Sequence, residues 1–174
     1  MTERQMLFDS RSVPGILDGS ITMTRRAVKP QPSFTDGPYL QESGLAEFAW
    51  CSGEDDQFEL RLCPYGQIGD RLWVREAWAA EEDYDQFAPS DFGPGGHKIW
   101  FKAGGDDPES GVRGKWRPSI FMPRWASRFD RVITDVQVER VQESFKDEVD
   151  IVWEAGTWVW IIEFKKVEPC TQAE

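Results

Sequence analysis

Between Phe129 and Val141, the apolar residues Val132, Ile133, Val136, Val138 and Val141 alternate with polar ones. A period near two puts one set of side chains on one face of an extended chain, so the stretch is expected to be a long strand. Trp158–Val167 (WVWIIEFKKV) is strongly apolar and reads as a closing strand. Ala46–Cys51 and Phe58–Cys63 flank the turn-rich SGEDDQ and predict a hairpin, and Arg71–Glu76 follows a turn at Gly66–Gly69. Lys98–Lys102 is a further short strand candidate. Helix signals are few. Ser10–Gly19 reads as one short helix, with Ser10 or Ser12 at the N-cap, Pro14 early and Gly19 where a C-cap belongs. A second short helix is expected after Ser144, and the proline-rich residues 29–44 are expected to be a loop. About six strands with closely spaced turns predict a mainly β chain with short helices (α+β), closed as a small β-barrel.

A chain of 174 residues fits one domain, 1–174, long enough to bury a core without disulfide or metal staples. Nine Trp among 13% aromatics exclude general disorder. No apolar run approaches the length of a membrane span, and the opening MTERQMLFDS lacks the pattern of a signal peptide. Three Cys (51, 63 and 170) suit reduced thiols and a cytoplasmic location. Cys51 and Cys63 could face each other across the hairpin, but without a second pair or a nearby His they make no zinc site. Neither metal nor cofactor is expected, and His97 is expected to be an exposed loop residue.

The net charge of −11 argues against a protein that coats nucleic acid, because such affinity comes from neutralising phosphates. The charge is segregated, however. Residues 81–114, rich in Asp, Gly and Pro, are expected to form an acidic surface insertion. From residue 113 to 131 the balance reverses: Arg113, Lys115, Arg117, Arg124, Arg128 and Arg131 stand against Asp130 alone. Arg suits bidentate phosphate contacts and stacking better than Lys does. Trp116, Arg117, Arg124, Trp125 and Arg128 interleave aromatics with cations, a mixture able to stack bases and hold phosphates. The plainer alternative makes these tryptophans plugs of a barrel end and pairs the arginines with acidic segments.

On the strand leaving the first helix, Thr22 and Thr24 turn their hydroxyls to the same side, and Arg25 and Arg26 point opposite ways. Asp70, after Gly69, is expected to bond nearby backbone N–H groups. Along Arg71–Glu76, one face carries Arg71, Trp73 and Arg75, and the other Leu72, Val74 and Glu76. A carboxylate buried among apolar residues needs a partner, so Glu76 is either functional or ion-paired with Arg25 or Arg26. Ser127 is either catalytic or a simple cap.

The segments ILDGSITMTRR (Ile16–Arg26), CPYGQIGDRLWVREAW (Cys63–Trp78), WRPSIFMPRWASR (Trp116–Arg128) and VWIIEF (Val159–Phe164) resemble, in content and order, the ASCH-like members of the PUA superfamily. The likeness is to the small members common in tailed phages and prophages. It implies a pseudo-β-barrel whose cleft, beside the first helix, receives a nucleoside, nucleotide or short single-stranded nucleic acid. On this reading Thr22, Arg25, Arg26, Trp73, Arg75, Trp116, Arg117, Arg124 and Arg128 bind. One branch of the wider family removes the acetyl group of 4-acetylcytidine with a Lys-Thr-x-Thr pattern and a distant Glu, and another has been assigned ribonuclease activity. Thr22 and Thr24 match the threonines, but Ile21 stands at the Lys position and cannot activate a nucleophile. Glu148, Asp150 and Glu154 lie near the place of the distant Glu, and Phe121 stands where phage-type relatives often carry His. Three functions therefore remain open. The first is a binding module. The second is a nucleoside or nucleic-acid hydrolase using Thr24, Glu76 and Ser127. The third is an acidic phage protein that binds a basic host protein.

Overall fold

A computed structural model describes residues 2–34, 36–40, 46–51, 57–95, 98–104, 112–147 and 151–167. In chain order the elements are β1 (Glu3–Leu7), α1 (Ser12–Asp18), β2 (Met23–Ala27), β3 (Asp36–Leu40), β4 (Glu47–Cys51), β5 (Phe58–Leu62) and β6 (Arg71–Arg75). They continue with β7 (Trp78–Ala79), β8 (Trp100–Phe101), β9 (Arg131–Arg140), β10 (Phe145–Lys146), β11 (Val152–Trp153) and β12 (Trp158–Lys166). The protein is mainly β, as the sequence predicts, but among the described residues no sheet closes into a barrel. No helix among them is long and apolar enough to cross a membrane. The chain divides into two compact units. The first comprises residues 1–4, 22–71 and 131–174, and the second 5–21 and 72–130.

In the first unit β12 lies between β9 and β2, antiparallel to both. One of its faces carries Trp158, Trp160 and Ile162; Trp160 meets Phe48 and Trp50 of β4 edge-on at 5.4 and 6.4 Å, and Trp158 meets Trp50 at 5.8 Å. The other face carries Val159 and Ile161, packed with Val141, Trp153, Met23 and Ala27. Burial on both faces explains why WVWII is a continuous apolar run rather than an alternating one. The predicted hairpin is present: β4 pairs with β5, and β3 lies on the other side of β4. Thus part of the expected 29–44 loop is a strand. Cys51 pairs with Phe58 at one end of this hairpin, whereas the N–H of Cys63 bonds Ala46 at the other, so the two thiols do not face each other.

The helix expected after Ser144 is instead a hairpin of β10 and β11. Asp147 holds it, accepting the backbone N–H of Ile151 at 2.8 Å and the indole N–H of Trp153 at 2.9 Å. An acidic residue after a Ser resembles a helix start, yet here its carboxylate is spent on the turn.

In the second unit, α1 starts on the carboxylate of Asp9, which accepts the N–H groups of Arg11 and Ser12 at 3.0 and 2.9 Å and the Ser12 hydroxyl at 2.9 Å. That role was expected of Ser10 or Ser12. Gly19 closes the helix with φ at 85° and its N–H on the Gly15 carbonyl, as predicted. β1 and β6 are neighbours, and β7 pairs with β8. The core here is Trp78, Ala80, Met122 and Ala126, against which Tyr84, Phe92, Ile99, Phe101 and Trp125 pack. The described part of 81–114 is therefore anchored, because four of those five side chains come from it or its flank. Of the strand expected at Lys98–Lys102, only Trp100–Phe101 is formed.

Candidate functional site

β6 alternates as its sequence requires: Leu72 and Val74 are buried, while Arg71, Trp73 and Arg75 are half-buried. The half-buried face presents an aromatic ring with two guanidiniums close to it. The guanidinium carbon of Arg75 lies 5.6 Å from the Trp73 ring centre, and that of Arg124 lies 5.9 Å from it. Arg75 is held in place, donating from Nε to the Ser119 carbonyl at 3.1 Å and from Nη1 to Gln5 Oε1 at 2.8 Å. Burial lowers its pKa, though a guanidinium remains charged near neutrality. Arg124 sits on the short turn Arg124–Ala126, 3.6 Å from Asp130, and both residues are half-buried. Such an arrangement can stack on a flat π-system and offer cations to an anion beside it.

At the end of the same strand, Glu76 is fully buried. Its partner is Arg128, rather than Arg25 or Arg26. Arg128 donates from Nε to Oε1 at 2.8 Å and from Nη2 to Oε2 at 2.9 Å. Its guanidinium also lies 4.2 Å from the ring centre of Phe101. Burial raises the pKa of Glu76, and the hydrogen bonds and charge of Arg128 work against that rise. Both oxygens are engaged by one cation, so Glu76 fixes the orientation of Arg128. Ser127 is likewise occupied: its hydroxyl donates to the Val74 carbonyl at 2.8 Å and accepts the Phe129 N–H at 3.3 Å. Its Oγ is thus bonded to main chain on both counts.

Arg117 lies inside the second unit, only 6% exposed. Its guanidinium is 5.5 Å from the ring centres of both Trp78 and Phe92, and it donates to the carbonyls of Tyr84 at 2.6 Å and Phe87 at 3.1 Å. This fastens the acidic segment to the core. Trp125 belongs to the same aromatic group, edge-on to Trp78 at 6.0 Å and to Phe92 at 5.7 Å. Trp116 carries the Arg113 guanidinium over its ring at 4.4 Å. The sequence offers no signal for the parts played by Gln5, Phe101 and Asp130, since each acts across a long separation in the chain or carries no motif.

The remaining candidates belong to the first unit. On β2, Thr24 pairs with Ile162, Arg25 with Ile161 and Arg26 with Trp160, so Arg25 and Arg26 take opposite faces as predicted. The Arg25 guanidinium lies 5.3 Å from the ring centre of Phe145. Arg26 is close enough to Tyr65 for its charge to counter the rise that burial imposes on the Tyr65 hydroxyl. Thr22 is exposed, and its carbonyl accepts the Phe164 N–H at 2.8 Å. A cavity of about 200 Å³ lies beside Cys63 and Asp70. Asp70 fills the structural role expected of it, accepting the N–H of Thr2 at 2.8 Å and of Gln67 at 3.3 Å. His97, Glu148, Asp150 and Cys170 lie outside the described residues.

No family model, curated protein or solved structure matches the chain.

Proposed function

We propose that this chain is a PUA/ASCH-like module that binds a nucleoside, nucleotide or short single-stranded nucleic acid. Trp73 stacks on a base while Arg75 and Arg124 meet phosphate. The observation that supports this most is the half-buried indole of Trp73 with two guanidiniums 5.6 and 5.9 Å from its ring centre. Arg75 is pre-positioned by Ser119 and Gln5, so little side-chain entropy is lost when it engages an anion. Arg124 stays partly exposed and able to exchange Asp130 for phosphate. Arg128, locked on Glu76, serves as the support beneath this face. An overall charge of −11 restricts such a site to a small footprint, since a long polyanion would meet repulsion elsewhere on the surface.

The test is fluorescence anisotropy with labelled single-stranded RNA and DNA oligomers at low and high salt, alongside a thermal-shift screen of nucleosides and nucleotides. Binding that weakens with salt and is lost in Trp73→Ala supports the reading. Absence of both binding and shift at low salt overturns it.

A further inference from the structure

β5 has its polarity reversed. Phe58, Leu60 and Leu62 are 63%, 46% and 57% exposed, while the charged pair between them, Glu59 and Arg61, is turned inward and half-buried. β5 is also the edge of its sheet, which runs β3–β4–β5. The hydrogen-bond phase of that edge follows from the register. The N–H of Cys63 bonds the Ala46 carbonyl at 2.8 Å, and pairs in an antiparallel ladder alternate between bonded and non-bonded. Glu59, Arg61 and Cys63 therefore spend their main-chain groups on β4. Those of Phe58, Leu60 and Leu62 point away from the sheet.

The five residues Phe58–Leu62 read apolar, acidic, apolar, basic, apolar. That pattern is complementary to itself when reversed. We infer that β5 is a self-association edge, pairing antiparallel with β5 of a second copy about a two-fold axis at Leu60. In that register Leu60 meets Leu60, Phe58 meets Leu62, and each is a bonded pair using the outward main-chain groups. Glu59 of each copy then faces Arg61 of the other, two cross-strand ion pairs on the inner face. At present Glu59 pairs with Arg61 of its own strand, and the buried Nε of Arg61 has no acceptor among the described residues.

Inward charges on an edge strand usually block strand addition. Here they select one pairing. A slip of two residues toward either end puts Glu59 on Glu59 or Arg61 on Arg61, and a parallel pairing also sets like on like. The result is an isologous contact, the form that closes as a dimer instead of growing as a fibre.

A single pair of five-residue strands falls below about 1,200 Å² of interface and so belongs to weak, reversible associations. Sedimentation of the full chain from about 10 μM to about 1 mM spans that range. The expected result is a reversible monomer–dimer equilibrium. Arg61→Glu weakens it by about tenfold or more, as does Glu59→Arg, because each sets like charges opposite one another. The exchanged variant Glu59→Arg/Arg61→Glu recovers the dimer. A chain that stays monomeric at the highest concentration overturns the proposal, as do single reversals without effect or an exchange that fails to restore association. Should a charge variant lose its native circular dichroism, Leu60→Lys decides. It alters only an exposed side chain and sets two ammonium groups on the axis, so persistence of the dimer in that variant rejects the pairing.

Discussion

Arg128 closes both carboxylate oxygens of Glu76, across 52 residues of sequence, with N–O distances of 2.8 and 2.9 Å. The pair joins the end of β6 to the segment after the Arg124–Ala126 turn, and only the arginine side reaches solvent, its side chain 25% exposed. Removing the cation strands a buried charge, which is far more damaging than removing both partners. Arg128→Met is expected to destabilise the protein by about 2–4 kcal/mol at pH 7, and Glu76→Gln/Arg128→Met by less. The pH dependence has a definite sign. Burial raises the folded pKa of Glu76 above its ordinary 4.5, so the folded state holds the proton more tightly than the unfolded one. The group therefore favours folding in acid and opposes it as pH rises through that window. Without Arg128 the rise is larger. The deficit of Arg128→Met relative to wild type should shrink on acidification from pH 7 toward about 5, as read by urea denaturation at each pH. A deficit independent of pH would contradict the pairing.

Arg117 is held by two aromatic rings and two carbonyls, a geometry that a planar guanidinium fits and an ammonium does not. Arg117→Lys should cost about 1–3 kcal/mol, and Arg117→Ala more. Near-UV circular dichroism should lose part of the signal from the Trp78–Trp125 pair in both variants, while nucleotide affinity measured below the melting range stays unchanged.

Trp73 and Arg124 should separate in a salt titration. Arg124→Ala removes a phosphate contact and is expected to lower the slope of log affinity against log salt by about one unit. Trp73→Ala removes stacking and should weaken binding by about 1–3 kcal/mol with the slope preserved. Anisotropy at several ionic strengths distinguishes the two, and equal slopes in wild type and Arg124→Ala would remove Arg124 from the site.

Burial pushes the Cys63 thiol up to about 11 from its ordinary 9.0, whereas Cys51 is only half-buried. Since the thiolate is the reacting form, about one Cys63 in a thousand is reactive at pH 8. Alkylation followed by peptide mass spectrometry should label Cys51 well before Cys63 in the native chain. In denaturant the two should react at similar rates.

The sequence carried the strands whose burial is one-sided or complete. β6 and β9 announce themselves by alternation, the β4–β5 hairpin by its turn-rich SGEDDQ connection, and β12 by an unbroken apolar run. β1 escaped notice because Glu3–Leu7 (ERQML) holds no β-branched residue and is buried only at Met6. β3 escaped because Pro38 and Gly37 lie within it and read as loop. In the candidate site, the shared face of Trp73 and Arg75 follows from period two alone. What could not be read was the destination of each arginine. Arg117 and Arg124 stand seven residues apart in one basic stretch, yet one is walled in by Tyr84, Phe87 and Phe92 and the other is only half-buried. That difference is set by residues some thirty positions away, where the acidic composition hides three aromatic rings.

Among the described residues, the central strand of the first unit is also the last strand in chain order. β2 and β9 each pair with β12, and Phe48 and Trp50 of β4 pack against its Trp158 and Trp160. During synthesis, then, two strands and a pair of large aromatic side chains leave the ribosome long before the element that unites them. The second unit ends in sequence at Asp130. A nascent chain stalled before Trp158 should leave Phe48 and Trp50 without the indoles they pack against, so the first unit stays open to proteases and chaperones until β12 has been made.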